Sequence, residues 1–455
     1  MKTVFHNNLW RTGLLAIFVS GSVFADEFQQ GIEAFNSSDY EAAMTAWMPL
    51  AEAGDINAMY NVGLLFDEGL GVATDKQKAL EWYLPAAEQG DVAAQFNVAI
   101  IYDFGTGVPE DNEQAIYWYT AAAQQADEQA QYNLAMMYAA GEGVDVDYEQ
   151  AVKWYQLSAD QGLASAQHNL AYLYDVGEAI PEDNQTAMKW YMKAAEQDDR
   201  DAQYAIALMY DQGDGFVEDN LAAINWYELA ATQGHMKAQF NLAIMYDEGE
   251  GVEEDNLAAI KWYSEAAQQG HASSQLNLGI MFENGEGVDV DYQEAMKWYR
   301  LAADQDVSDA QYAVAIMFDE GMGIPEDNVA AIAWYTKAAE GGDAQAQNNL
   351  GAMFDAGEGI PIDDTEAVKW YRLSADQGNP IAQNNLGAMY YAGEGVRENK
   401  TEAFKWFYIA AKLGNDDAGD NRDLAAREMR KSQVSKAIGM AEKWLSDYEE
   451  LTAVF

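Results

Sequence analysis

The chain has 455 residues, no cysteine, 49% apolar residues and a net charge of −51. The apolar share excludes a disordered chain, and the charge argues against nucleic acid and anionic membranes as partners. The missing thiols exclude disulfides, thiolate metal sites and cysteine nucleophiles.

Residues 1–25 read as a secretory leader: Lys2 and Arg11 are basic, Gly13 to Phe24 is a short apolar run, and cleavage is expected after Ala25. A periplasmic or secreted protein is therefore expected. No other stretch is apolar enough for long enough to span a bilayer.

Residues 26–57 predict a variant helix pair. Phe28, Ile32 and Phe35 fall at helical spacing, Asn36 to Asp39 is a turn, and Tyr40, Ala43 and Trp47 open the second helix. Trp47 precedes Trp82 by 35 residues, which makes this unit one residue short.

Residues 58–417 predict ten units of 36 residues, marked by tryptophans from Trp82 to Trp406 at that spacing. A period in this range signals a solenoid of stacked helical hairpins. In the third unit Ala130, Leu134, Ala135 and Tyr138 mark the first helix, and Ala151, Trp154 and Tyr155 mark the second. Small residues let neighbouring helices approach closely. A glycine such as Gly141 follows every first helix, where a left-handed C-cap needs it. Acids such as Glu110-Asp111 precede the second helix, where N-caps and the helix dipole favour them.

Residues 418–455 predict C-terminal capping helices. Arg422 breaks the apolar pattern, and Val434, Ile438, Ala441, Trp444 and Leu445 form one helical stripe. A basic docking helix is the alternative.

The blocks AQYNLAMMY, GEGV, AVKWY and QG, repeated tenfold, resemble the Sel1-like repeat, a relative of the tetratricopeptide repeat. The resemblance covers about Asp26 to Gly414, and the N-terminal pair looks more like a tetratricopeptide unit. It implies an all-α, right-handed superhelical solenoid of antiparallel helix pairs that serves as an adaptor for protein assembly. In bacteria such proteins are often exported and linked to signalling, envelope or host contact. Relatives associated with β-lactams carry paired cysteines, which this chain lacks.

No motif carries chemistry. His168, His235 and His271 are not spaced as metal ligands, and no Gly-x-Ser-x-Gly or Ser-x-x-Lys sequence occurs. Asp145-x-Asp147 and Asp289-x-Asp291 are fragments of a calcium loop without its glycine and glutamate. No catalytic residue, metal site or cofactor is expected.

By the resemblance, first helices line the concave face. Three of their columns are candidates for ligand contact. The aromatic column includes Tyr132, Tyr204 and Phe240. The amide column includes Asn97, Asn133, Asn169, Asn241 and Asn277, broken by Ala205 and Ala313. The acid column includes Asp103, Asp175, Asp211, Asp247, Glu283 and Asp319, broken by Ala139 and Tyr391. An acid at a helix C-terminus costs ~0.3–1 kcal/mol, so either a neighbouring unit or a ligand must hold it. Each asparagine either satisfies backbone in the adjacent unit or grips a peptide. The glutamine column, Gln95 to Gln383, predicts a bond between repeats.

The expected function is a non-enzymatic interaction scaffold of the bacterial envelope. It would be a monomer that binds extended or basic protein segments, without nucleic acid or membrane insertion. The alternatives are an envelope enzyme acting on β-lactams or peptidoglycan, and a weakly divalent-cation-responsive structural protein.

Overall fold

The computed structural model describes residues 24–177 and 180–452. The expected leader lies outside these residues except for Phe24 and Ala25. All regular structure among the described residues is helical. The chain divides into two compact units with the boundary between Glu218 and Asp219. No described helix is long and apolar enough to cross a membrane.

An opening pair, α1 (Phe24–Asn36) and α2 (Tyr40–Glu52), precedes ten regular ones. In the first unit the regular helices are α3 (Ile56–Glu68), α4 (Lys76–Glu88), α5 (Val92–Phe104), α6 (Asn112–Gln124), α7 (Glu128–Ala140), α8 (Tyr148–Asp160), α9 (Ala164–Val176), α10 (Asn184–Ala195) and α11 (Arg200–Gln212). The second unit holds α12 (Asn220–Thr232), α13 (Met236–Glu248), α14 (Asn256–Gln268), α15 (Ala272–Asn284), α16 (Tyr292–Ala303), α17 (Ser308–Asp319), α18 (Asn328–Glu340), α19 (Ala344–Ala356), α20 (Asp364–Asp376), α21 (Pro380–Ala392) and α22 (Lys400–Lys412). It ends with α23 (Asp416–Arg427) and α24 (Lys431–Thr452).

Local chemistry sets the helix ends. First helices start two residues before the expected alanine, because the N-cap sits three residues ahead of it. Asp127 accepts from the Ala130 amide at 2.7 Å, and Asp343 from Ala346 at 2.6 Å. His235 and His271 hold this cap position and accept through Nδ1. Second helices are capped by Asp39, Asp75, Asp111 and their successors to Asn399. The calcium-like residues Asp147 and Asp291 are two of these caps. Gly141 ends α7 at φ 72°, in the left-handed region that glycine enters without strain. Gly143 has a second reason to be glycine: its φ is 74°, and a Cβ there would lie 2.7 Å from Asn112 Cβ on the preceding repeat.

Between pairs, small residues permit contact. Ala130, Ala166 and Ala310 are fully buried, as are Tyr83, Tyr119 and Tyr335 of the second helices. The glutamine column forms a ladder. Gln131 Nε2 donates to the Ala123 carbonyl of the preceding repeat at 3.0 Å, and Gln161 Nε2 donates to Gln131 Oε1 at 2.9 Å. The same two bonds recur at Gln95, Gln239 and Gln347. The ladder stops at Gln383, where the next donor position holds Leu413; Gln383 Oε1 is buried without a partner.

The opening pair corrects the sequence reading. The caps Asp39 and Asp75 are in phase at 36 residues, and the pair is short by four residues between its helices. Trp47 therefore occupies the position of Tyr83, not of Trp82. It is 1% exposed, and its Nε1 donates to the Phe28 carbonyl at 3.2 Å. Gly31 faces it as Gly63 faces Tyr83.

At the other end, α24 lies along α22, with Ala437 and Ala441 fully buried. Trp444 meets Trp406 edge-on at 5.9 Å, and the Tyr448 hydroxyl donates to the Gln377 carbonyl at 3.2 Å.

Candidate functional site

The second-helix tyrosine is the centre of the three candidate columns. Its hydroxyl donates to the acid of its own repeat: Tyr119 to Asp103 at 3.1 Å, Tyr191 to Asp175 at 3.1 Å, Tyr263 to Asp247 at 3.3 Å, and Tyr335 to Asp319 at 3.0 Å. Tyr299 donates to Glu283 in the same way. A tyrosine of the same repeat meets these acids, where a bond to a neighbouring unit or to a ligand was expected. A hydroxyl donor at each carboxylate offsets the unfavourable helix end.

The hydroxyl also accepts from the asparagine of the next repeat. Asn133 donates to Tyr119 at 3.0 Å, Asn241 to Tyr227 at 3.0 Å, and Asn349 to Tyr335 at 3.2 Å. Asn97 bonds the Tyr83 and Tyr60 hydroxyls, and Asn277 bonds that of Tyr263. Asn169 reaches both Tyr155 at 3.2 Å and Tyr132 at 3.4 Å. The asparagines thus satisfy a side chain of the adjacent repeat, where backbone or peptide was expected. The aromatic column lies on the same tyrosines: Tyr132 is 5.8 Å from Tyr155, and Phe240 is 6.0 Å from Tyr263, ring centre to ring centre. Tyr204 and Asp211 stand in these columns on α11.

Burial raises the tyrosine pKa values, with Tyr60 pushed up to about 12. It also lifts Asp91, Asp127, Asp175, Asp247 and Asp355 above the ordinary aspartate value. For an acid raised in the folded state, the native protein holds its proton more tightly than the unfolded chain does. Stability then falls as pH rises through that group. Exposed Asp75 and Asp183 shift the other way, held low by hydrogen bonds from the Lys78 amide and the Thr186 hydroxyl. Their contribution is present above the ordinary aspartate pKa near ~4 and lost as pH falls through their lowered values. The melting temperature is therefore expected to rise as pH falls toward the ordinary aspartate pKa near ~4 and to fall below it. A scanning calorimetry series across this range measures it, and a monotonic fall from pH 7.5 would contradict the sign.

Two features were missed in the sequence. One is the tyrosine centre itself, visible as a paired change: where Tyr391 replaces the acid, Phe407 replaces the tyrosine 16 residues on. The other is an apolar column one helical turn after the aromatic one: Leu64, Ile100, Met136, Tyr172 and Leu208 in the first unit, then Ile244, Ile280 and Ile316 in the second. Met136 is 42% exposed and Tyr172 53%.

Charge is segregated by helix. Among the ten regular first helices only Arg200 and Lys237 are basic. The lysines gather on second helices, where they cover tryptophans: Lys193 lies 3.7 Å from the Trp190 ring centre, Lys337 3.8 Å from Trp334, and Lys261 4.0 Å from Trp262. Among the described residues no three His, Asp or Glu side chains converge as a metal site.

A family model described as the Sel1 repeat matches ten consecutive segments, from residues 56–91 to 380–415. The crystal structure of c5321, a protective antigen present in uropathogenic Escherichia coli strains displaying an SLR fold, is 33% identical with a TM-score of 0.65. The match covers 89% of this chain and 95% of that one. A Sel1 repeat protein from Oxalobacter formigenes is 31% identical with a TM-score of 0.57, over 68% of this chain and 90% of that one. No curated protein matches.

Proposed function

The chain belongs to the Sel1 repeat family, and from that premise we propose that its first-helix face holds basic or extended segments of other proteins in the bacterial envelope. Repeats of this fold generally mediate protein–protein interaction, and the family is generally one of non-enzymatic scaffolds. The observation that carries the finer reading is the segregation of charge. The first helices carry the column acids and almost no lysine or arginine, while lysines of the second helices lie over tryptophans. Lysine and arginine of a partner would meet carboxylates and aromatic faces with almost no competing cation nearby. The leader-like residues 1–25 support an exported location, as does the antigen status of the E. coli relative.

The test is capture from a periplasmic extract by the full chain, with bound proteins identified and the experiment repeated as salt rises from ~0.05 M to ~0.5 M. Screening shortens from roughly 10–15 Å to a few ångström across that range. Basic proteins are expected to bind at low salt and to be lost at high salt. A variant with Asp247→Asn, Glu283→Gln and Asp319→Asn should retain fewer of them. Salt-independent capture, or equal capture by the neutralised variant, would refute the reading.

A further inference from the structure

The joint replacement of acid and tyrosine by Tyr391 and Phe407 coincides with an open pocket of about 200 Å³ between α21, α22 and α23. Its floor is Phe407, 3% exposed, on which α21 lies so closely that a Cβ at Gly387 would fall 2.7 Å from the ring. Of the ten regular second helices only α22 has a ring without a hydroxyl at this position, so the floor carries no polar atom. Ala388 and Ala392 leave the space open, where other first helices carry Ile280 and Asn284 or Ile316 and Glu320. Leu424 of α23, 45% exposed, adds an apolar wall. The preceding first helix, α19, has the same two alanines, Ala352 and Ala356. Its neighbour, however, brings Ala388 in place of Leu424, and the ring beneath it is Tyr371, whose hydroxyl meets Asp355 at 3.4 Å. Two side chains of the lining are fixed. The Tyr391 hydroxyl donates to Glu428 while the Lys400 ammonium lies 3.4 Å from its ring centre, and Asn421 donates to Asn384 at 2.9 Å. The nearby cations are committed elsewhere: Lys400 pairs with Glu398 and Glu428, Arg422 pairs with Asp423, and Arg397 lines a separate hollow with Tyr390. Glu394, which also lines the pocket, is exposed, and among the described residues no ion pair reaches it.

Resting on the proposed scaffold role, we propose that this pocket receives one large apolar or aromatic side chain of a partner protein segment, whose neighbouring lysine or arginine pairs with Glu394. The volume of about 200 Å³ lies between the ~150 Å³ of a cavity that takes benzene and the ~300 Å³ at which small-molecule sites begin, so it suits a side chain. Contact with Phe407 and Leu424 removes apolar surface from water and supplies the attraction. Charge selects the segment. A rim carboxylate without a cation favours a basic residue beside the anchor, and the net charge of −51 opposes a second copy of this chain as the occupant.

The test uses the full chain and fluorescein-labelled glycine–serine peptides with a central phenylalanine–lysine, serine–lysine or phenylalanine–glutamate pair, read by anisotropy. The phenylalanine–lysine peptide is expected to bind at least about fivefold more tightly than the other two. Ala388→Ile puts at an exposed position the isoleucine that other repeats carry there, so it should fold with little change in melting temperature. By filling the pocket it should weaken the phenylalanine–lysine peptide by about fivefold or more. Glu394→Gln, also at an exposed position, should weaken it by about threefold and remove the preference over the phenylalanine–glutamate peptide. With benzoylphenylalanine in place of the phenylalanine, photocrosslinks should fall within residues 388–394 and 421–424. Equal binding of the serine–lysine peptide, unchanged binding in Ala388→Ile, or crosslinks confined to other helices would overturn the pocket site. If extract capture by the full chain still succeeds and still falls with salt, the scaffold reading survives that result; if capture fails as well, both fall.

Discussion

Tyr335→Phe is expected to destabilise the second unit by about 1–3 kcal/mol although it removes a single oxygen. The side chain is fully buried. Its hydroxyl donates to Asp319 at 3.0 Å and accepts from Asn349 at 3.2 Å. Phenylalanine keeps the packing and leaves a carboxylate and an amide without their partner, and loss of a partner to a buried polar group is the expensive case. Because Asn349 belongs to the following repeat, the loss falls partly on the interface between repeats, the quantity that sets solenoid cooperativity. Tyr371→Phe is the control. Its hydroxyl is farther from its acid, 3.4 Å from Asp355, and the Asn385 amide is turned to Asn348. It should cost clearly less. Chemical denaturation of both variants decides the matter, and equal losses would show that the closer bonding of the Tyr335 hydroxyl adds no stability.

Trp47→Ala is expected to cost about 3–5 kcal/mol, confined to the start of the solenoid. The indole sits between Phe28 and Phe35, with ring centres 6.1 and 5.8 Å away, and its Nε1 ties α2 to the Phe28 carbonyl. Gly31 approaches so closely that an added Cβ would fall 2.1 Å from Nε1. No smaller side chain fills that space. Repeat arrays unfold locally when a terminal pair fails, since each pair contacts only its neighbours. Hydrogen exchange should show α1 and α2 losing protection while the helices of the second unit keep theirs. Uniform loss along the whole chain would contradict this picture.

The period, the helix ends and the small-residue contacts were legible in the residues themselves. An N-cap aspartate or a left-handed glycine acts on backbone within three or four residues of itself. Its spacing in the sequence is therefore its spacing in space. The glutamine ladder was legible for a related reason, since a column without a break from Gln95 to Gln383 has to serve a contact that every repeat shares.

The columns of the candidate face were legible as columns but not as partners. Asp103 had the look of an acid awaiting a neighbour or a ligand, and Asn133 that of an amide awaiting backbone. Only helix packing brings Tyr119 between them, 16 residues from one and 14 from the other. Trp47 belongs to the tyrosine position because α2 and α4 keep the 36-residue phase through their caps Asp39 and Asp75, while the shortened connection displaces only α1. The sequence by itself determined what acts locally: the repeat, its caps, and which residues share a helix face. The tertiary structure decided which side chains on different helices meet. Those distances depend on how closely the helices pack, and no spacing along the chain contains that information.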